Sequence, residues 1–528
     1  TGVDIDTRAK QLATFALLLK ACQKDISFVD AHCMPRVLDI PHCNLHTWEE
    51  LKGHLCCALE LPCTSEKINK ELDAAFQLLG DADTLGSIMK FDTSEDTRTF
   101  MMNCIKEQTK QHEHEDNFRD LFAGFEMILT LTNKYSALVM NPPYMGGGNM
   151  NNVLSKYVKD NYPNSKSDLM TVFMEVCEES VAKNGKFGMI NLPSWLFLSS
   201  FESLRKGLIS NYHIDTLIHM GRGVFGIDWG SVAFTVSKAV SNKKSVFFRL
   251  HKRNFQHIYF EHIGQLFLQV LKNHELRYDF NTYRDEDVTE IKEFEFKNSN
   301  DGDKLYFETE QNNSEKIPGC PIGYWVSEKM LICFQYKESI AKISPARIGM
   351  MTSDNNRFLR NWQEVSYKKI GFNFQNRFEA QESNTKWFPY NKGGGFKKWY
   401  GLNTLIVNWQ YGGKEIIENG MTSFRGKDYY FHKGITWSFI NSNNFGVRYK
   451  PNGYIFDIQG SSSFPDNLNI YYIMALLNSK VVYKILSVLN PTLSFQGGNI
   501  NSIPYKHTNS NVIDLIMAKT EKSISVSI

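Results

Sequence analysis

Two kinds of apolar pattern alternate along the first half of the chain. Some segments place apolar residues at every third or fourth position, which is typical of a helix with one buried face. Others are short unbroken apolar runs, which are typical of buried strands. Alternation of the two predicts an α/β fold with a mostly parallel, doubly wound sheet. The predicted helices cover residues 8–22, 168–183 and 201–209, and the predicted strands cover residues 1–6, 135–140, 186–190, 213–219 and 231–236.

Other segments extend this pattern. Residues 26–40 contain a second short strand signal, and residues 47–79 are predicted to be helical, within an insertion over 41–79. Residues 95–134 are predicted to form one long helix with a charged, solvated face. Residues 471–477 and 481–489 are also predicted helices.

Changes in residue composition and apolar pattern along the chain predict the domain organisation. The α/β pattern covers residues 1–240, and residues 241–345 mix polar and apolar positions without a motif, as a connector does. From 346 to 505, glycine, asparagine and aromatic residues dominate short strand-like runs, which predicts a mixed α+β domain. Residues 506–528 are predicted to begin a C-terminal region.

Composition narrows the class of protein. Hydrophobic residues make up 42% of the 528 positions and aromatic residues 13%, which favours a globular chain over a disordered one. The net charge of +2 means that a nucleic-acid surface must be a local patch. We find no apolar stretch of about 18 residues that would span a membrane, and the scattered cysteines are typical of a cytoplasmic protein. A start at Thr1 suggests a piece of a longer polypeptide.

Cysteines and histidines concentrate between residues 33 and 63. Their spacing lacks the paired C-x-x-C knuckles of structural zinc sites. Leucines surround them, so buried thiols in a helical subdomain are the favoured interpretation, and no metal is expected. The residues concerned are Cys33, His42, Cys43, His46, His54, Cys56, Cys57 and Cys63.

The strongest chemical signal is the tetrad Asn141-Pro142-Pro143-Tyr144. It follows an apolar strand and precedes a glycine-rich loop, so it lies where open α/β sheets bind ligands. The Asn141 amide oxygen and the Pro142 carbonyl could accept the two hydrogens of the adenine amine. Drawing those hydrogens out of the ring plane would make that nitrogen nucleophilic toward a sulfonium methyl group. Tyr144 offers a face for base stacking, worth about 1–3 kcal/mol; the alternative is that the two prolines merely end a strand.

Two acidic segments are candidates for nucleoside binding. Asp4 could accept from the ribose hydroxyls of a nucleoside while Ile5 packs on its adenine ring. Asp6 suits a helix N-cap, and both roles can hold together. Asp81, with Ala82, could meet the adenine amine of the same nucleoside, although Asp81 could equally be an ordinary loop residue.

A basic, aromatic stretch over residues 366–433 is the candidate nucleic-acid surface. Its cations would neutralise phosphates, whereas polar side chains nearby could contact base edges. The alternative is a twisted β domain with a mixed surface. The candidate DNA-binding residues are Lys368, Lys369, Arg377, Lys397 and Lys398.

Taken in order, these motifs resemble S-adenosylmethionine-dependent N6-adenine DNA methyltransferases, and in particular the PglX type of BREX phage-defence systems. Further matching segments cover nearly the whole chain. They include Gln11-Leu12-Ala13, Tyr144-Met145-Gly146-Gly147, Phe358-Leu359-Arg360, Gly434-Ile435-Thr436-Trp437-Ser438, Arg448-Tyr449-Lys450-Pro451, Gly453-Tyr454-Ile455-Phe456-Asp457 and Leu476-Leu477-Asn478-Ser479-Lys480.

The resemblance implies a partial, doubly wound Rossmann-like methyltransferase sheet over 1–240 and a target-recognition domain over 346–505. It implies that Asn141, Pro142, Pro143 and Tyr144 form the catalytic site. Phe225 would stack on the target base from the other side, although an ordinary buried phenylalanine is an equal alternative. In the family, a glycine-rich loop that holds the methionine part of S-adenosylmethionine lies upstream of Gly2-Val3-Asp4, so cofactor binding by these residues alone is in doubt.

The resemblance also implies partners: double-stranded DNA, other proteins of the defence system, and phage inhibitors that mimic DNA. Two alternatives stay open. One is the methyltransferase part of a bifunctional restriction enzyme, although no persuasive nuclease motif is found. The other is a DNA-binding module without catalytic activity.

Overall fold

Helices and strands alternate through the first part of the chain, as the apolar pattern predicts. In the computed structural model, which describes residues 1–30, 34–59, 61, 64–108, 115–224, 230–239, 243–252, 257–281, 283, 302–420, 424–440, 444–465, 470–492 and 494–528, the chain forms two units. The first unit comprises Thr1–Leu192, Ser210–Leu217 and Val232–Asn242. The second comprises Pro193–Ile209, Ile218–Ser231 and Lys243–Ile528.

The first unit is a mixed α/β structure, which confirms the predicted class. Its helices are Thr7–Lys24, Leu45–Ala58, Glu66–Leu79, Ala82–Leu85, Glu95–Gln108, Glu115–Thr132, Asn152–Asn161 and Leu169–Ser180. Its strands are Gly2–Val3, Val37–Leu38, Tyr135–Met140 and Val181–Asn191, together with most of Ser231–Ser237 and the first part of His213–Gly221.

The sheet of the first unit positions the tetrad. Tyr135–Met140, predicted as a strand, pairs in parallel with Val181–Asn191, so that Met140 lies opposite Met189. Val181–Asn191 pairs on its other side with Ser231–Ser237, which runs antiparallel. His213–Gly221 follows next in the order, and Tyr135–Met140 is the edge strand. This sheet is therefore mixed rather than wholly parallel.

Two predictions for the first unit are wrong in detail. The helix predicted over 95–134 is two helices, Glu95–Gln108 and Glu115–Thr132, and His112 and His114 lie outside the described residues. The strand signal over 26–40 gives only Val37–Leu38, which pairs in parallel with Gly2–Val3. Asp25 accepts from the Ser27 amide and starts a short helical turn at Ile26–Val29, so the chain cannot be extended there.

Buried thiols account for part of the cysteine and histidine cluster. Cys43 and Cys56 are buried, and burial raises the pKa of Cys43 to about 12. Cys57 is exposed, whereas Cys33 and Cys63 lie outside the described residues. Within the described ranges, we find no group of three or more possible ligands that could hold a metal ion.

The second unit contains several small sheets. Two of these sheets have four strands. One has the order Ala346–Arg347, Ser462–Ser463, Gly434–Trp437, Val447–Lys450, and the other has the order Leu359–Asn361, Leu405–Asn408, Trp387–Asn391, Ile455–Phe456. Ser245–Arg249 pairs antiparallel with Tyr306–Thr309. The helices are most of Glu202–Asn211, which confirms the helix predicted over 201–209, and Phe260–Lys272, Glu328–Phe334, Ile340–Ile343, Asn355–Phe358, Arg377–Glu382, Gln410–Glu418, Ile470–Leu477, Lys480–Leu489, Gly497–Asn501 and Ser510–Ser527.

Buried apolar residues account for the stability of this second unit. Strand Gly434–Trp437 is buried at every position, and Trp437 packs with the helices Ile470–Leu477 and Lys480–Leu489, both predicted from the sequence. These two helices, with a bend of 64° between them, are together long and apolar enough for a broken membrane span by length and composition only. No single helix among the described residues is long and apolar enough to cross a membrane.

Candidate active site

The tetrad lies at the carboxyl end of the edge strand, as predicted. Asn141 follows Met140 directly and is exposed, Pro142 is buried, and Pro143 is exposed. Because proline fixes its own φ and restricts the residue before it, the Asn141–Pro142 backbone is held in an extended form. An exposed amide next to a rigid carbonyl is the arrangement that the sequence predicted here.

The Tyr144 hydroxyl connects the tetrad to the neighbouring strand. It lies 3.1 Å from the Asn141 Oδ1 atom and 3.2 Å from the Ile190 carbonyl oxygen. Burial raises the pKa of Tyr144, so the hydroxyl keeps its proton at neutral pH and donates to one of the two oxygens at a time. This contact orients the Asn141 amide and leaves its oxygen a second lone pair for a ligand.

Asp168 supports the loop behind the tetrad. Its Oδ1 atom accepts from the Met145 amide at 3.2 Å and from the Met170 amide at 3.1 Å, where it caps the helix Leu169–Ser180. The Leu169 amide in turn donates to the Met145 carbonyl at 2.9 Å. Sequence reasoning missed this residue, although an aspartate just before an apolar helix is a recognisable N-cap signal.

A cavity of about 530 Å³ lies beside the edge strand in the first unit. Its walls come from Thr1–Ile5, from residues 84–88, from the strand residues 137–140 and from apolar side chains of the helix Leu169–Ser180. Asn141, Pro142 and Pro143 also line it. The structure therefore brings Asp4 and Ile5 to the same cavity as the tetrad, although these segments are more than a hundred residues apart.

Two aspartates near the cavity, Asp4 and Asp6, make different contacts. Asp6 accepts from the amides of Arg8 at 2.7 Å and Ala9 at 3.2 Å, which confirms it as the N-cap of Thr7–Lys24. These hydrogen bonds, that from Ala9 most of all, lower the pKa of Asp6. Asp4 Oδ1 accepts from the Asp6 amide at 3.0 Å, and Ile5 is 65% exposed. Asp4 and Ile5 are thus placed to meet a ligand, and their binding roles stay predictions.

Asp81 and Ala82, two other predicted site residues, are not among the residues that line this cavity. Asp81 is exposed before the helix Ala82–Leu85, and Ala82 is buried. The lining residue nearest to them in sequence is Thr84. Phe225 lies outside the described residues.

The five candidate DNA-binding cations all lie in the second unit. Lys368, Lys369 and Lys397 are exposed. Arg377 lies 3.5 Å from Asp428. Lys398 donates to the Asn478 carbonyl at 2.8 Å, and burial lowers its pKa. The first three cations are therefore more accessible to a phosphate than the other two.

The chain is similar in sequence to known proteins. Residues 1–225 match the Eco57I restriction-modification methylase family. Over 547 residues the chain is 33% identical to the adenine-specific methyltransferase PglX of Lacticaseibacillus casei (strain Zhang). The matched region covers 100% of this chain and 42% of that protein. It is 31% identical over 553 residues to the adenine-specific methyltransferase BrxX of Escherichia coli O9:H4 (strain HS), with the same coverage.

Among solved structures, that of the Type IIL restriction-modification enzyme MmeI in complex with DNA matches 90% of this chain and 67% of its own, at 11% identity and a TM-score of 0.47. The chain spans 42% of the length of the curated relatives that it matches. The resemblance that the motifs predicted is confirmed: the chain is similar, from its first residue to its last, to the adenine-specific methyltransferases PglX and BrxX.

Proposed function

We propose that this chain is the central part of a site-specific DNA adenine methyltransferase, which transfers a methyl group to the 6-amino group of an adenine flipped out of the duplex. One observation carries the proposal. The exposed amide of Asn141 and the rigid Pro142 backbone stand at a strand end, beside a cavity that Asp4 also lines. The two sides of this cavity offer acceptors for an amine and for the hydroxyls of a nucleoside.

Asn141 and Pro142 would activate the target. The Asn141 Oδ1 atom and the Pro142 carbonyl accept the two hydrogens of the adenine amine, which turns the nitrogen lone pair toward the methyl donor. Tyr144 holds the Asn141 amide through its hydroxyl and stacks its ring on the base. Stacking of about 1–3 kcal/mol offsets part of the few kcal/mol that base flipping costs. Catalysis then rests on positioning.

The residues at the cavity fit S-adenosylmethionine, and we propose it as the cofactor. A volume of about 530 Å³ suits a ligand of this size, and the lining is mainly apolar with several polar groups. When bound, the cofactor supplies an electrophilic methyl group. Asp4 would hold its ribose and Ile5 would pack on its adenine, whereas Asp81 and Ala82 would meet the adenine amine only if their segment shifted toward the cavity.

The finer architecture belongs to the same proposal. The sheet of the first unit would be part of a Rossmann-like methyltransferase sheet, residues 1–240 the catalytic domain, 241–345 a connector and 346–505 the target-recognition domain. In that domain Lys368, Lys369 and Lys397 would contact DNA phosphates, with weaker contributions from Arg377 and Lys398. Methylation would mark the cell's own DNA in phage defence, and Phe225 would stack on the target base.

The test uses the full-length protein that contains this chain and DNA from cells that produce it. Modified-base sequencing should reveal N6-methyladenine at one sequence, and Asn141→Ala should abolish it because the amine loses an acceptor. Duplex binding by that variant, measured by fluorescence anisotropy, should stay close to that of the wild type. Asn149→Ala, in the exposed loop that follows, is the matched control. Normal methylation by Asn141→Ala would refute the assigned role.

A further inference from the structure

A second cavity lies in the second unit, formed by three loops. It measures about 300 Å³ and is named here the Gly393 pocket. Two of its glycines have positive φ, and a Cβ atom at Gly393 would lie 2.3 Å from the Gln459 carbonyl oxygen. Only glycine fits there, so bare backbone forms this wall and a ligand can approach it closely. The lining residues are Lys392, Gly393, Gly394, Ser438, Phe439, Ile440 and Gln459.

Lys392 provides a cation at this pocket. Its Nζ atom donates to the Asn355 side-chain oxygen at 2.5 Å and lies 3.9 Å from Asp457, whose side chain is almost fully buried. Asp457 is already hydrogen-bonded, because it accepts from the Tyr390 hydroxyl at 2.5 Å and from the Gln459 amide at 2.7 Å. Lys392 is therefore held in place while part of its charge stays available to the pocket.

Ser438 connects the pocket to a buried arginine. Its Oγ atom accepts from the Gly394 amide at 3.1 Å and from Arg448 Nη1 at 3.3 Å, and donates to the Gly395 carbonyl at 3.2 Å. A hydroxyl rotates freely, so the same proton can turn from Gly395 to an anion. The hydrogen bond from the guanidinium makes that hydroxyl a stronger donor.

Arg448 is a buried charge with no counterion among the residues that the structure describes. Its exposed fraction is 0%, and its Nε and Nη2 atoms have no acceptor among the described residues. Burial lowers the pKa of Arg448 only to about 10, so it stays charged at neutral pH. The Asn391 Nδ2 atom is likewise buried without an acceptor in the described part of the chain. An excess of buried donors behind the pocket favours an anion in front of it.

We propose that the Gly393 pocket binds a phosphate group of the DNA backbone, with Lys392 and Ser438 donating to it and Arg448 holding positive charge behind Ser438. The site rests on the proposed function, because it assigns the phosphate to the DNA of that reaction. It lies far from the tetrad in sequence, and its lining residues are different from the five lysines and arginines predicted to bind DNA. A phosphate contact of this kind sets the register of the protein on the duplex rather than its sequence preference.

Two variants with matched controls test the site. Lys392→Met removes the direct cation, and Lys342→Met, at an exposed lysine paired with Glu338, is its control. Gly395→Asp places a carboxylate at the rim, where a Cβ atom meets nothing within 4 Å, so the fold is kept. Gly264→Asp, at an equally open position in the helix Phe260–Lys272, changes the charge by the same amount.

Duplex binding by the chain is measured by fluorescence anisotropy over a series of NaCl concentrations. Lys392→Met and Gly395→Asp should each lower the affinity several-fold and reduce the slope of log affinity against log salt by about 0.9, the value for one phosphate contact. The two control variants should keep the wild-type slope. Wild-type affinity and slope in both pocket variants would overturn the proposal.

A second experiment distinguishes failure of the Gly393 pocket proposal from failure of the proposed function. If the wild-type chain binds no duplex, the DNA assignment fails, and inorganic phosphate becomes the probe. Phosphate should then raise the unfolding temperature of the wild type and of Lys342→Met more than that of Lys392→Met. An equal rise in all three proteins would overturn the anion site as well.

Discussion

The edge strand Tyr135–Met140 of the first unit and the inner strand Gly434–Trp437 of the second both carry large apolar side chains but lie in opposite environments. In Tyr135–Met140, Val139 is 86% exposed, whereas in Gly434–Trp437 every residue is buried. The helix Thr7–Lys24 likewise has no fully buried residue, and its Leu12 is 69% exposed. Apolar sequence alone therefore indicates which segments can be buried, and packing partners decide which of them are. The open strand is the one that carries the proposed chemistry.

The largest difference is expected from removing a central side chain of the second unit. Trp437 is fully buried and its Nε1 atom donates to the Phe495 carbonyl at 2.9 Å. Trp437→Ala should cost about 3–5 kcal/mol, because it leaves a cavity and an unpaired carbonyl. Hydrogen exchange should accelerate in the second unit and stay unchanged in the first. The half-exposed Trp362 offers the control, since Trp362→Ala should cost no more than about 0.5 kcal/mol. Equal acceleration of hydrogen exchange in both units would contradict the expectation that each unit has its own hydrophobic core.

The two units should also respond oppositely to pH. Burial raises the pKa of Glu178 in the first unit to about 8 and lowers the pKa of Lys450 in the second to about 7. The folded first unit retains a proton that the unfolded chain loses between about pH 4.5 and 8, so its stability falls as pH rises through that window. The unfolded second unit binds a proton that the folded one lacks between about pH 7 and 10.5, so its stability rises there.

Hydrogen exchange at several pH values, corrected for the intrinsic rate, measures both slopes. Glu178→Gln should flatten the first slope and Lys450→Met the second, each by an amount of the order of a few kcal/mol across its window. If stability changed with pH in the same direction in both units, the predicted opposite pH dependence would be wrong.

A matched pair of valines isolates the effect of burial. Val447 in the second unit is fully buried, and Val139 in the first is 86% exposed. Val447→Ala should lower the free energy of unfolding by about 2 kcal/mol, whereas Val139→Ala should change it by less than about 0.5 kcal/mol. Urea titration followed by tryptophan fluorescence compares the two. A large loss from Val139→Ala would show that the edge strand is covered in solution.

The smallest expected effect concerns the open site itself. Tyr144→Phe keeps the stacking ring but removes the hydroxyl that lies 3.1 Å from Asn141 Oδ1. Losing that hydrogen bond should lower kcat by about fivefold, corresponding to about 1 kcal/mol, with little change in KM for DNA. Tyr411→Phe, at an exposed tyrosine of the second unit, is the control. An unchanged kcat would mean that the Ile190 carbonyl, not Asn141, is the partner that matters.

The sequence by itself determined the class of fold, the strand Tyr135–Met140 and the position of the tetrad at the end of that strand, because these depend on local periodicity and on residue type. It also indicated Asp6 as a helix cap, since capping is a contact within one turn. The division of the predicted long helix into Glu95–Gln108 and Glu115–Thr132 was not readable from the apolar pattern. The short length of Val37–Leu38 was not readable either, because the Asp25 cap starts a helical turn at Ile26–Val29 that competes with the apolar pattern.

Only the tertiary structure decided which residues meet. It joined Asp4 to Asn141 around one cavity, placed Asp168 and the Ile190 carbonyl behind the tetrad, and left Asp81 outside the lining. It also buried Arg448 behind Ser438, although both residues belong to ordinary strand-like sequence. Contacts between distant segments depend on how helices and strands pack, and no periodicity within one segment records the segment that it will face.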